Sequence, residues 1–238
     1  SGGFRTDYGV GIRVLKGEKT GYAYSENLEM SEMVKAAEAA SAIAQAGGSS
    51  LSYGRAAGRT TPDLYPMQQN WRDMQASAFL PFLLDLEKKI TSKDSRIIKV
   101  MARLSDSVSD VLMYNSFGEL TCETRPMGSL SVTVVFQQDG KTENKSISRS
   151  FRMGTELISP LLIEEIATEA VKGIDERFEA IRPKGGQMSV VMGAGPSGVL
   201  LHEAMGHAFE ADFNRKGQSI FSEKMGTRVC PKGVNVVD

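Results

Sequence analysis

The chain has 238 residues, with 28 Lys and Arg against 29 Asp and Glu and a formal net charge of −1. That balance leaves no electrostatic footprint for nucleic acid or an anionic membrane. No apolar run nears the ~18 residues that span a bilayer, and no charged start leads into an apolar leader. Two cysteines, Cys122 and Cys230, are too few for a disulfide framework, so the expected compartment is the cytoplasm.

Residues 8–15 read as a strand, with Val10, Ile12 and Val14 alternating, and residues 20–24 return after the turn at Gly17 as a hairpin. Asn27 is expected to cap an Ala-rich helix running to about Ala46, stopped by Gly47 and Gly48. Residues 47–66 are rich in Gly, Ser, Arg and Pro and read as a long loop. A helix over 73–91 places Phe79, Phe82, Leu83, Leu86 and Ile90 on one face, with Pro81 near its start. Five short alternating segments come next, 97–104, 108–115, 120–125, 130–137 and 142–151, separated by turn signals at Asn115–Gly118 and Asp139-Gly140. They predict an antiparallel β-meander.

Leu162, Ile166, Ala170, Ile174, Phe178 and Ile181 then repeat at helical spacing, predicting one long helix over 159–181. Residues 188–192 read as a buried strand, 193–198 as a glycine turn, and 199–212 as a helix. The predicted class is therefore α+β. An N-terminal domain over 1–182 carries the meander and its packed amphipathic helices. A second domain, 183–238, begins with a strand, a glycine turn and a helix. The largely apolar close at Val234-Asn235-Val236-Val237-Asp238 and the abrupt start at Ser1 read as cut ends of a longer protein.

Two motifs compete in the second segment. Gly193, Gly195 and Gly198 spell a dinucleotide fingerprint, with glycines that would let a pyrophosphate approach a helix N-terminus. The acidic strand end required roughly 20 residues later is absent: residues 213–217 form a polar turn.

The second motif is His202-Glu203-Ala204-Met205-Gly206-His207, or HExxxH, and it holds both histidines of the chain. Two neutral imidazoles and an adjacent carboxylate are the ingredients of zinc hydrolysis. The familiar zinc helix spaces its histidines at i and i+4, about 40° apart at 100° per residue. Here they stand at i and i+5, about 140° apart on a regular helix. A shared ion therefore requires an i→i+5 bonded turn or an early helix end, and Gly206 is where such a distortion would be cheapest. Zinc also needs a third protein ligand, for which Glu210, Asp212 and Cys230 are candidates by proximity.

These residues resemble the TldD/PmbA family, in particular its metal-bearing, TldD-type branch of metallopeptidases once described as modulators of DNA gyrase. The likeness is carried by Gly193-Ala194-Gly195, Gly198 to Ala204, Gly206-His207, Glu210 to Phe213 and Arg215 to Phe221, with a weaker match at Gly9–Val14 and Gly21–Ala23. The resemblance implies that His202 and His207 are metal ligands and Glu203 the catalytic carboxylate, with zinc as the metal. It implies a third ligand outside this chain, a cysteine in a C-terminal β-rich domain. It also implies homodimers or heterodimers with a related subunit, extended peptide substrates and a cytoplasmic site of action, while the charge balance and the lack of a long apolar run predict no nucleic-acid or membrane partner. The leading expectation is thus metal-dependent peptide hydrolysis. The alternatives are a non-catalytic oligomerisation module of a peptidase complex and a dinucleotide-binding protein using the Gly193–Gly198 turn.

Overall fold

The structure is a computed structural model that describes residues 2–45, 57–58 and 62–236, with only the backbone given at 57–58. It is an α+β chain in two compact units, Ser1–Ala180 and Ile181–Asp238.

The first unit opens on an antiparallel hairpin. Strand β1 (Val10–Lys16) pairs β2 (Lys19–Ser25) from Val10↔Ser25 to Lys16↔Lys19. Helix α1 (Met30–Ile43) packs on the hairpin through buried Ala36 and Ala40. Asn27 does not cap this helix. Its Oδ1 accepts from the Glu29 amide, 2.9 Å away, and the cap position belongs to Glu29, whose side chain makes no cap bond. Gly21 fixes how closely helix and hairpin approach. A Cβ there would lie 1.8 Å from the Ala40 carbonyl oxygen, so only a residue without one fits. The expected stop at Gly47-Gly48 and most of the expected 47–66 loop fall outside the described residues. Within that stretch, β3 (Ala57–Gly58) runs parallel to Glu119-Leu120.

Helix α2 (Leu80–Thr91) is shorter than its apolar period suggests, because Pro81 sits in its first turn, where a missing N–H is harmless. Tight turns at Trp71–Asp73 and Ala76–Phe79 precede it.

The meander has three long strands, not five short ones. Strand β4 (Ile97–Tyr114) pairs β5 (Glu119–Gln138) along its length, and β6 (Lys141–Phe151) covers the other edge of β5 from Gly128 onward. The turn signals at Asn115–Gly118 and Asp139-Gly140 are the two hairpin tips. Asp139 and Gly140 both have positive φ, which matches the right-handed twist of the strands they join. The breaks expected near 105–107 and 126–129 lie within continuous strands. Ser105 faces Ser129 and Val108 faces Pro126 across the ladder. Pro126 interrupts no β5–β6 bond, because β6 has already ended opposite Gly128. Gly128 leaves room for Trp71, whose ring would lie 2.5 Å from any Cβ there.

Alternate residues of β5, namely Leu130, Val132, Val134 and Phe136, form one face of the core. Phe82, Leu86 and Ile90 of α2 lie on it. So do Leu162, Ile166 and Ala170 of α3 (Pro160–Val171) and Ile174 and Phe178 of α4 (Ile174–Glu179). The opposite face carries polar pairs, Ser129–Ser150 at 2.7 Å and Thr133–Ser146 at 2.9 Å. Helices α3 and α4 replace the single helix expected over 159–181. Gly173, at φ +72°, takes the left-handed conformation that ends α3 and starts α4, and Ile181 is exposed. Ser159 caps α3, its Oγ accepting from the Leu162 amide at 3.3 Å. No described helix is long and apolar enough to cross a membrane.

Candidate metal centre

The second unit begins without the strand expected at 188–192. Those residues are exposed, Val191 almost completely at 98%, and they pair with no strand among the described residues. The glycine turn is present. Gly195 has φ +119°, its carbonyl accepts from the Gly198 amide at 2.9 Å, and the Ser197 hydroxyl donates to the Gly193 carbonyl. The helix after it, α5 (Ser197–Leu201), has five residues. A Cβ at Gly193, Gly195 or Gly198 would meet nothing within 4 Å. A dinucleotide site needs a strand before such a turn, a full helix after it and glycines under close packing. None of the three is found among the described residues.

The helix expected over 199–212 changes winding at the motif. After α5, residues His202–Gly206 form a π turn in which the His207 amide donates to the His202 carbonyl, five residues back. A short tight turn, His207–Phe209, comes next, and α6 (Ala211–Arg215) ends the segment. The i→i+5 bond puts residues 202 and 207 one turn apart instead of about 140° out of phase. Their ring centroids are 4.5 Å apart, with the planes inclined at 68°. One ligand atom each from His202, Glu203 and His207 lies within 4.8 Å of the others. Gly206 itself is ordinary, at φ −57° and ψ −50°. The turn does not draw on the unusual backbone freedom expected of it.

The three side chains are exposed. His207 Nε2 lies 3.5 Å from Glu203 Oε2, and its Nδ1 is 2.5 Å from Glu210 Oε1. The hydrogen bond to Glu210 raises the His207 pKa above the usual imidazole value, with desolvation opposing and the charges of Glu210 and Glu203 adding. Of the three candidates for a further ligand, Glu210 is therefore engaged on the ring nitrogen turned away from Glu203. Asp212 lies 3.9 Å from Lys216, and the Cys230 thiol contacts the Val234 carbonyl at 3.5 Å. None of the three joins the cluster among the described residues.

The residues C-terminal to the motif pin it in place. Asn214 Nδ2 donates to the carbonyls of Ala208 (2.8 Å) and Glu210 (2.9 Å), and the Ser219 hydroxyl also donates to Ala208. Phe209 stacks on Phe221 with centroids 4.4 Å apart and planes within 11°. Asn214 and Ser219 carry no recognisable spacing, and although Ser219 lies in the stretch that carries the family resemblance, nothing in the sequence gives either residue this role. Glu210 does have a signal, its i+3 position from His207, but that spacing fits a ligand and a ligand's support equally well.

Ligand atoms sharing a zinc ion at bonds of about 2.0–2.1 Å lie within about 4 Å of one another, and these three lie within 4.8 Å. The donor set fits a divalent metal of zinc's preference, two imidazoles with a carboxylate beside them.

Family models match three stretches. They are described as PmbA/TldA metallopeptidase domain 1 (residues 1–44), the central domain (residues 69–175) and the C-terminal domain (residues 185–238). The chain belongs to this family. A metalloprotease TldD homolog of Haemophilus influenzae is 34% identical over 243 residues, covering all of this chain and 50% of that protein. Another, from Buchnera aphidicola of Acyrthosiphon pisum, is 30% identical over 247 residues, again with 50% of its length covered. The chain thus spans about half the length of the curated relatives it matches. The crystal structure of TldE from Thermococcus kodakarensis matches with a TM-score of 0.58 over 89% of this chain and 47% of that one. At 18% identity that likeness speaks for the fold alone. The family is one of metallopeptidases, which implies a metal, and His202, Glu203 and His207 form a cluster suited to one.

Proposed function

We propose that the protein takes part in zinc-dependent hydrolysis of peptide bonds in extended peptides, in the cytoplasm, with His202 and His207 as metal ligands and Glu203 as the general base. The observation that carries this is the π turn. It converts a spacing unsuited to a shared ion on a regular helix into one cluster of two imidazoles and a carboxylate.

Zinc, when bound, supplies Lewis acidity that polarises a carbonyl and brings the pKa of water down to about 7. Glu203 stands beside His207 at 3.5 Å, on the side of Nε2, where it can take a proton from an attacking water and return it to the leaving amine. The two imidazoles leave room for a third protein ligand. In this reading it comes from outside this chain, as the family resemblance implies, while Glu210, Asp212 and Cys230 contact His207, Lys216 and the Val234 carbonyl. Assembly with a second, related subunit belongs to the same reading.

Substituting Glu203→Gln separates the roles. The variant should keep its zinc and lose peptidase activity by at least about 100-fold, the usual scale for a general base. His207→Ala should lose the zinc as well. Wild-type turnover in Glu203→Gln would remove this carboxylate from the mechanism. Full zinc occupancy with no peptidase activity in the wild-type protein would favour a non-catalytic module.

A further inference from the structure

Glu210 stands outside the HExxxH motif, yet its carboxylate hydrogen-bonds a motif imidazole, 2.5 Å from His207 Nδ1. A carboxylate can only accept, so the nitrogen it touches must carry the proton. In a neutral imidazole that leaves the lone pair on the other nitrogen, Nε2. Nε2 is also the nitrogen turned toward Glu203, 3.5 Å from its Oε2. The two ring nitrogens are thereby assigned opposite tasks by their neighbours.

The backbone that carries this carboxylate is tied down. The tight turn His207–Phe209 ends at Glu210, whose extended ψ of 131° swings the chain away before α6. Asn214 grips that bend from within α6, donating to the carbonyls of Ala208 and Glu210. Ser219 donates to the same Ala208 carbonyl, and the Phe209–Phe221 stack closes the loop. The backbone at Glu210 is therefore tied from both sides, by these bonds from α6 and the loop after it and by its own amide, which donates to the His207 carbonyl at 3.2 Å.

We propose that Glu210 is a positioning residue that locks His207 in its Nδ1–H tautomer and aims its Nε2 lone pair into the cluster with His202 and Glu203. The proposal rests on the metal reading above for its purpose, but the tautomer is a property of the metal-free protein. A partner on the far nitrogen fixes ring orientation and raises ligand basicity, and its loss typically lowers metal affinity about 10- to 100-fold.

With two histidines in the chain, imidazole nitrogen spectra are simple to assign, and a His202→Gln variant identifies the signals of His207. Long-range proton–nitrogen correlation on the 15N-labelled, metal-free protein, at a pH where both rings are neutral, should show the Nδ1–H form for His207. Glu210→Ala should release it to a mixture of tautomers and weaken zinc binding about 10- to 100-fold in a chelator competition. Glu210→Gln keeps an acceptor oxygen, so it should hold the tautomer and lose less than about 10-fold. Amide spectra matching the wild type show that each variant folds.

A wild-type His207 in the Nε2–H form would overturn the proposal, as would an unchanged tautomer in Glu210→Ala. Equal zinc loss in the Ala and Gln variants, with the Gln variant's tautomer intact, would make Glu210 a direct ligand and overturn it too. If the wild-type protein holds the tautomer but binds no zinc, the metal reading fails while Glu210's control of the ring stands.

Discussion

In the meander unit, Leu86, Ile90, Leu130, Val134, Phe136 and Ile166 are closed off from water, whereas no described residue from 181 to 236 is buried. The second segment leaves Val191 and Met225 almost fully exposed and Ile220 largely so. The first unit is organised by apolar burial at roughly 25 cal/mol per Å². The second is organised around the motif by local polar bonds and one aromatic stack, each contributing on the order of 1 kcal/mol net. The candidate metal cluster thus sits where the backbone departs from regular winding, and the long-stranded sheet belongs to the other unit.

The contrast is sharpest for truncations of apolar side chains. Phe136→Ala removes a fully buried ring near the C-terminal end of β5 and should destabilise the first unit by about 3–5 kcal/mol. Val191→Ala, in an exposed stretch of the second segment, should fall within about 0.5 kcal/mol of the wild type. Urea unfolding followed by tryptophan fluorescence reports the first unit, because Trp71 is buried against Phe79 at 5.6 Å. A large loss for Val191→Ala would mean that this segment has a core of its own.

The hairpin layer allows a more local test. Gly21→Ala would press a methyl into the Ala40 carbonyl of α1. Overpacking of this kind costs about 1–3 kcal/mol, and here the obstacle is backbone that cannot rotate away. Hydrogen exchange should show faster opening of β1, β2 and α1 with little change in β5. Uniform loss across the unit would mean that the hairpin layer and the meander open together.

Electrostatics enters the first unit at the seam between α2 and α3. Lys89 and Lys93 both donate to Glu164, at 2.7 and 2.5 Å, and these bonds hold its pKa down to about 2. An unfolded glutamate titrates near 4.3. The fold therefore favours the ionised form, so the contribution is complete above about pH 4.3 and fades as pH falls toward 2. Glu164→Gln should lower the denaturation midpoint slightly at neutral pH. It should also flatten the acid-side decline between those values. The group is exposed and salt will screen it, so an unchanged acid limb would show that the lysines do not hold it in solution.

Much of the first unit is legible in the chain because burial leaves a period behind. Val10, Ile12 and Val14 alternate, and Leu162, Ile166 and Ala170 recur at helical spacing. The departures have physical causes. Ser105–Ser107 and Pro126–Ser129 look like turns, but Gly128 is small because Trp71 lies over it, and Pro126 stands beyond the end of β6. Gly173 is hidden inside an unbroken apolar period, which a left-handed residue can interrupt without shifting the buried face. In the second segment the apolar run 188–192 suggests burial, although a period shows only what a face would bury if covered. The π turn is legible as a requirement, since the five-residue histidine spacing allows few other ways to share an ion. The support from Asn214 and Ser219 is not legible as such, because hydrogen bonds to carbonyls obey no sequence period, and the i+3 spacing of Glu210 does not tell a ligand from a ligand's support.

The smallest expected effect concerns Gly206, the residue whose missing Cβ makes it the natural candidate for easing the turn. Its φ of −57° and ψ of −50° are those of any helical residue, so an alanine there meets no backbone strain. An added Cβ would approach His202 no closer than 3.4 Å at Nδ1, an ordinary contact. Alanine is favoured over glycine by about 1 kcal/mol in a helix interior, and it also restricts the unfolded chain. Gly206→Ala should therefore keep the His207-to-His202 backbone bond and change zinc affinity by less than about threefold. Local protection from exchange at residues 202–207 should rise slightly. The competing outcome is that alanine restores i→i+4 bonding and carries His207 to another face. A crystal structure or imidazole spectra of the variant distinguish the two. Rewinding, with zinc binding lost, would mean that glycine's freedom holds the turn open after all, against the dihedral angles seen here.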